Sequence, residues 1–265
     1  MSKKVKKTNF ISLGIMIYLF IPVIATFLYS IATKWQTTLL PEGLTLKWYI
    51  MLFSDTRFLA ALGRSLLVAT LSLSISMVVT IPAIFITIAY LPKLEKYLNM
   101  IVVLPFAVPG IVLAVGLIRI YSKGPFAIAG TIWILVGAYF IVCLPFLYQG
   151  MKNNLKTIQV NVLMDAAELL GASKLQAFFY IILPNMMKGV IVSLLLAFSM
   201  LFGEFVLANI LVGGNFETVQ IYLYNKNAER GHLTSAIVIT YFVFILIISA
   251  VVVKVNQIMN RAVES

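Results

Sequence analysis

Few residues in this 265-residue chain have side chains that do chemistry. His232 is the lone histidine and Cys143 the lone cysteine, so neither a histidine metal cluster, a catalytic histidine pair nor an internal disulfide can be assembled. His232, beside Gly231, reads as a surface or interface residue, and Cys143, inside an apolar run, as a small core side chain. Gly171-Ala172-Ser173-Lys174 is too short for a G-x-x-x-x-G-K-[ST] nucleotide loop, and no strand precedes it. No catalytic, metal or cofactor site is therefore expected. Three features remain. One is a carboxylate inside apolar sequence, Glu204, and another is the pair Pro105 and Pro109. The third is a long polar interval from Asp165 through Gly171 and Ser173 to Leu183 and Pro184.

The elements that must position these residues belong in lipid. The chain is 62% hydrophobic and only 11% charged, with a mean hydropathy of +1.02, which predicts an all-α polytopic membrane protein. Its net charge of +11 is scattered over short loops rather than gathered on one face. It therefore reads as a topology signal and not as a nucleic-acid surface. A crossing takes about 20 apolar residues, and six segments qualify, near 10–33, 64–90, 98–120, 127–148, 189–212 and 233–254. The first runs too long for a signal peptide and lacks a small-residue cleavage pattern before Trp35, so it stays as a span. Trp35, Trp48 and Tyr49 mark a stretch at headgroup level, with a short interfacial helix over Lys47 to Phe53. Six spans put both termini on one side. Lys3, Lys4, Lys6, Lys7, Lys93 and Lys96 make that side the cytoplasm; the other side holds Lys34, Lys47, Arg57, Arg64, Arg119, Lys123, Lys226 and Arg230.

Pro22, Pro82, Pro105, Pro109 and Pro145 lie within spans, where each removes a backbone donor and kinks its helix. Pro105 and Pro109, four apart and followed by Gly110 and Gly116, predict a broken or bent third span. Two readings stay open for it, a packed kink or the lining of a solute path. A charge at a helix centre costs roughly 2.5–3.5 kcal/mol on insertion scales, so Glu204 must face the bundle interior or a cavity. It serves there either as a structural hydrogen-bonding group, paired with Arg119 or Arg64, or as a polar group on a solute path.

In the cytoplasmic interval, Ile158, Val162, Ala166, Leu169 and Leu170 recur at helical spacing, with Gln159, Asn161, Asp165 and Glu168 around them. That pattern predicts an amphipathic helix. Gly171 supplies positive φ to end it, and Ser173 with Gln176 forms the capping box of a second helix. Phe178, Phe179, Ile181 and Ile182 are that helix's apolar face until Pro184 interrupts it. Such a double-helix knob either docks a partner or lies on the membrane, and its mixed charge favours docking.

The run Asp165-Ala166-Ala167, three residues, Gly171, nine residues, Ile181, one residue, Leu183-Pro184 resembles the EAA signature of permease subunits of binding-protein-dependent ABC importers. Two positions depart from it: Asp165 replaces the usual Glu, and Lys188 stands where a Pro often precedes the glycine, here Gly189. The resemblance implies a type-1 ABC transmembrane domain over 61–257 with its coupling loop at 150–187. Residues 1–60 would form a tail, first helix and outer segment, and 258–265 a C-terminal tail. Asp165, Ala166, Ala167, Gly171, Leu183 and Pro184 would couple the spans to a cytoplasmic ATPase, with the two alanines allowing close approach. Glu204, Pro105 and Pro109 would belong to the translocation pathway. The implied partners are two ATPase subunits, a second permease subunit, an extracytoplasmic binding protein and membrane lipid, in a bacterial inner membrane. The steps Pro105-x-x-x-Pro109-Gly110 and Gly203-Glu204-Phe205 are similar to the polyamine branch, with 2-aminoethylphosphonate and ferric iron branches nearby. The outer loop from Gly213 to Thr218 either touches the binding protein or simply turns. Two rival classes make other demands. A secondary transporter or channel calls for repeats or several membrane carboxylates, and a membrane enzyme for a His, Asp or Glu cluster at one face.

Overall fold

A computed structural model describes residues 2–227 and 231–264; Arg230, one of the expected outer-side cations, lies outside the described residues. Helices make up the regular structure among the described residues, apart from one isolated bridge between Ala32 and Leu44. Four helices are long and apolar enough to cross a membrane: α1 (Ser2–Ile31), α3 (Thr56–Ala89), α6 (Ile132–Thr157) and α12 (Gly231–Glu264). Two bent helix pairs pass the same test, giving six spans when each pair counts as one. The short helix α2 (Lys47–Ser54) occupies the stretch expected to be interfacial. Pro22, Pro82 and Pro145 sit inside α1, α3 and α6, which continue through them.

The first bent pair is the expected broken third span. After α4 (Glu95–Val103) the chain tightens into a 3-10 turn over Leu104–Ala107, becomes extended at Val108, and restarts at α5 (Gly110–Tyr121) with Pro109 as its N-cap. The two arms are bent by 103°. Each proline lacks the N–H that a continuous helix would require, and each disfavours helical backbone in the residue before it.

Two compact units are distinguished, Met1–Ala60 with Tyr222–Leu246, and Ala61–Ile221 with Ile247–Ser265. In the first, His232 is stacked between Tyr29 and Trp48, at ring distances of 4.1 and 5.5 Å, and its Nδ1 lies 2.8 Å from the Tyr29 carbonyl. His232, expected at a surface or an interface, is half-buried in this stack. Asp55 precedes α3, accepting from the Arg57 N–H (2.8 Å) and from the Tyr222 hydroxyl (2.7 Å). Burial alone would raise its pKa, but these bonds, the Phe58 N–H and the Lys226 charge hold the carboxyl below its ordinary value.

In the second unit α6 is the most buried of the four long apolar helices, with half of its spanning stretch inside the structure. Its N-terminal half, with Tyr139, Cys143 and Leu147, packs on Ala197 and Leu201 of α9 (Leu183–Phe202) and on Leu207 and Leu211 of α10 (Val206–Leu211). Cys143 is a core side chain as expected, its thiol 2.9 Å from Ser76 Oγ. The C-terminal half, with Tyr148, Met151 and Leu155, packs with Ile84, Phe85 and Met186. At Gly150 the crossing of α6 with α9 leaves no room for a side chain, since an added Cβ would fall inside the Ser193 hydroxyl. We predict that Gly150→Ala lowers stability by about 1–3 kcal/mol, the usual cost of overpacking, read as a fall in melting temperature in detergent. The double variant with Ser193→Gly should regain most of it.

Candidate functional site

The interval between α6 and the fifth span folds as a knob of two helices. At Gln159 the chain turns left-handed (φ 52°), ending α6 and starting α7 (Val160–Leu169). The amphipathic helix thus begins at Val160, not at Ile158. Gly171 has φ +85°, as expected, and closes a Schellman turn. Its N–H donates to the Glu168 carbonyl (2.9 Å) and that of Ala172 to the Ala167 carbonyl (3.0 Å). The expected capping box is present: the Ser173 side chain accepts from the Gln176 N–H, and the Gln176 side chain accepts from the Ser173 N–H. It opens α8 (Lys174–Ala177).

Pro184 does not interrupt this second helix. After α8 a π-helical turn spans Phe178–Ile182, with the Leu183 N–H donating to the Phe178 carbonyl five residues back, and the chain continues as α9. A proline ring clashes with the carbonyl four residues behind it, and the wider turn lets the helix pass. The Asn185 amide takes up the Ile181 carbonyl at 2.8 Å. The knob is therefore continuous with the fifth span, which bends by 58° between Lys174–Met187 and Val190–Phe202.

The faces of α7 differ from expectation. Met164 and Ala167 point inward and join Ala177, Phe178 and Ile182 in the inner core. The residues expected to form the apolar face, Val162, Ala166, Leu169 and Leu170, lie outward, with Leu169 and Leu170 89% and 88% exposed. Phe179 is also exposed. Among the motif residues, Asp165, Ala166, Gly171 and Pro184 are exposed and Leu183 is half-buried. Ala167 is 2% exposed, so its small side chain lets α7 approach the bundle. The exposed surface of the knob sets Val162, Ala166, Leu169 and Leu170 beside two carboxylates, Asp165 and Glu168.

Glu204 is not in mid-helix. The fifth span ends at Phe202, short of the expected 212, and Glu204 sits in the break before α10. Its carboxylate accepts from the Leu207 N–H (2.9 and 3.0 Å) and the Ala208 N–H (3.1 Å), satisfying donors that a helix start leaves free. Its carbonyl accepts from the Tyr139 hydroxyl at 3.3 Å. Among the described residues no ion pair joins it to Arg119 or Arg64; Arg64 lies over the Phe216 ring instead. A cavity of about 180 Å³ brings Glu204 together with Pro105, Phe106, Pro145 and Leu207. Pro109 does not line it.

Metal-binding groups of three or more His, Cys, Asp or Glu are absent among the described residues. The division of α7 into faces yields a prediction. Leu169→Gln with Leu170→Gln should leave the melting temperature of the detergent-solubilised chain within a degree or two. Ala167→Leu should cost about 1–3 kcal/mol through overpacking.

The chain is similar to several known proteins. The permease protein PhnV of Salmonella typhi, named for a 2-aminoethylphosphonate transport system, is 24% identical over 249 residues, 93% of this chain and 92% of its own. The spermidine/putrescine transport system permease protein PotC of Escherichia coli K12 is 26% identical over 253 residues, 94% of this chain and 91% of its own. A chain of a bacterial ABC transporter involved in import of the acidic polysaccharide alginate has the same fold, with a TM-score of 0.69 at 15% identity over 95% of this chain and 96% of that one. Residues 81–264 match the family described as the binding-protein-dependent transport system inner membrane component, and the chain is a member of that family.

Proposed function

We propose that this chain is the permease subunit of an ATP-driven ABC importer and that the outer face of its knob docks on the ATPase. The observation that carries this is the exposure of Leu169 and Leu170 beside Asp165 and Ala166. Burying a leucine fully stabilises by about 1.5–3 kcal/mol, and the knob offers two on a rigid, capped turn in the segment expected to be cytoplasmic. The complex contains two ATPase subunits, a second permease that is a paralogue rather than a second copy, and an extracytoplasmic binding protein. ATP binding draws the knobs together, the spans rock to open the cavity outward, and hydrolysis resets them inward. Both termini are cytoplasmic. The transmembrane domain runs from 61 to 257.

For the solute, we favour a small amine-bearing compound, with a polyamine such as spermidine or putrescine first. PotC is named for such solutes, and the 2-aminoethylphosphonate of the second relative also carries a primary ammonium group. A carboxylate lining a cavity suits that shared group. Glu204 and Pro105 serve the pathway together, while Pro109 sets the start of α5.

In proteoliposomes holding the assembled complex and its binding protein, labelled spermidine should enter only with ATP, and unlabelled putrescine should compete. Glu204→Gln should slow uptake roughly tenfold, the effect of losing about 1.4 kcal/mol of stabilisation. The pathway role fails if rate and selectivity are unaltered. Uptake of 2-aminoethylphosphonate with exclusion of polyamines would reverse the order of solutes. Leu169→Gln with Leu170→Gln should abolish co-isolation of the ATPase; retention at the wild-type level would refute the docking role.

A further inference from the structure

The knob is held to the bundle at a second point, away from its continuous run into α9. Lys174 opens α8, immediately after the Gly171 turn, and its Nζ donates to the carbonyl of Ala89 at 2.9 Å. Ala89 is the last residue of α3, and its carbonyl is one of the final four that a helix leaves without an internal donor. A cation is favoured there, because the carbonyl ends of the peptide dipoles converge. The same ammonium lies 5.4 Å from the centre of the Tyr90 ring, within cation–π range. Glu168 Oε1 is 3.9 Å away, and at that distance between half-exposed groups the ion pair adds little.

An apolar contact stands beside this polar one. Phe178, from the π-helical turn, packs on Phe85 of α3 at 4.3 Å between ring centres, and Phe85 meets Tyr90 edge-on at 5.7 Å. The other end of the knob joins α6. α6 passes to α7 through the single left-handed residue Gln159, which lines a cavity of about 490 Å³ with Thr87, Glu95 and Lys152. The knob is thus joined to the bundle by the helix into α9, by the Phe178 contact with Phe85 and by the Lys174 contact with the end of α3.

We propose that Lys174 is a positioning residue that latches the knob to the cytoplasmic end of the second span, so that displacement imposed on the knob reaches α3 as well as α9. This rests on the docking of the knob on the ATPase. The outer face carries that docking; Lys174 acts after it, in transmission. Lys174→Met keeps the stem and removes the ammonium, while Lys174→Arg keeps a cationic donor of similar reach.

The test uses the assembled complex with binding protein and ATPase in proteoliposomes, measuring solute uptake and ATP hydrolysis together. Lys174→Met should lower uptake per ATP hydrolysed by about fivefold or more, a coupling change of ordinary size. Co-isolation of the ATPase and the melting temperature should stay unchanged. Lys174→Arg should restore most of the ratio, and Lys156→Met, a nearby cytoplasmic lysine without this contact, should not alter it. Wild-type uptake per ATP in Lys174→Met would overturn the latch, and so would a loss of uptake that tracks loss of the ATPase. Failure of the docking reading itself appears elsewhere, in retention of the ATPase by the Leu169→Gln, Leu170→Gln chain.

Discussion

Every break in a membrane helix exposes backbone groups that lipid cannot satisfy, and this constraint governs the structure. The chain breaks its helices repeatedly, and each break has its own partner. At Gly203 to Phe205 the Glu204 carboxylate takes the amides that open α10, and the Tyr139 hydroxyl takes the Glu204 carbonyl. A carboxylate within a span is costly in isolation, but here the half-buried Glu204 side chain stands in for a turn of helix. At Pro105 to Pro109 the prolines remove donors outright, so fewer groups need a partner. The two breaks face one another across a small cavity. The most irregular backbone in the second unit's spans therefore coincides with its best candidate for a solute path.

The knob obeys a different economy. It ends α7 with a Schellman turn and starts α8 with a capping box, devices that work in water as well as in protein. Its inner side shares a core with α3, α6 and α9 through Ala167, Ala177, Phe178 and Ile182. Its outward side keeps two leucines that nothing among the described residues covers.

What the sequence disclosed and what it concealed divide along physical lines. Gly171, the Ser173 to Gln176 box and the Pro105 to Pro109 break were legible because each depends on chemistry within a few residues. The direction of α7 was not. Periodicity identifies an apolar stripe but cannot say whether the bundle or a partner covers it, and small Ala167 hid the true inner face. Pro184 misled because a π turn can carry a helix past a proline, and no single residue signals that turn. Glu204 was correctly drawn inward by the cost of its charge. Its role as a cap escaped notice because the apolar run continues through Val206 to Leu211 and masks the end of the span.

The central claim is that the exposed face of α7 and the Gly171 turn form the surface on which the ATPase sits. Hydrogen–deuterium exchange of the permease, compared with and without its ATPase subunits in the same nanodiscs, tests this most directly. The account predicts slowed exchange over Val160 to Gly171 when the ATPase is present. Unchanged exchange there, with new protection confined to another segment such as the Lys93 to Lys96 loop, would contradict it.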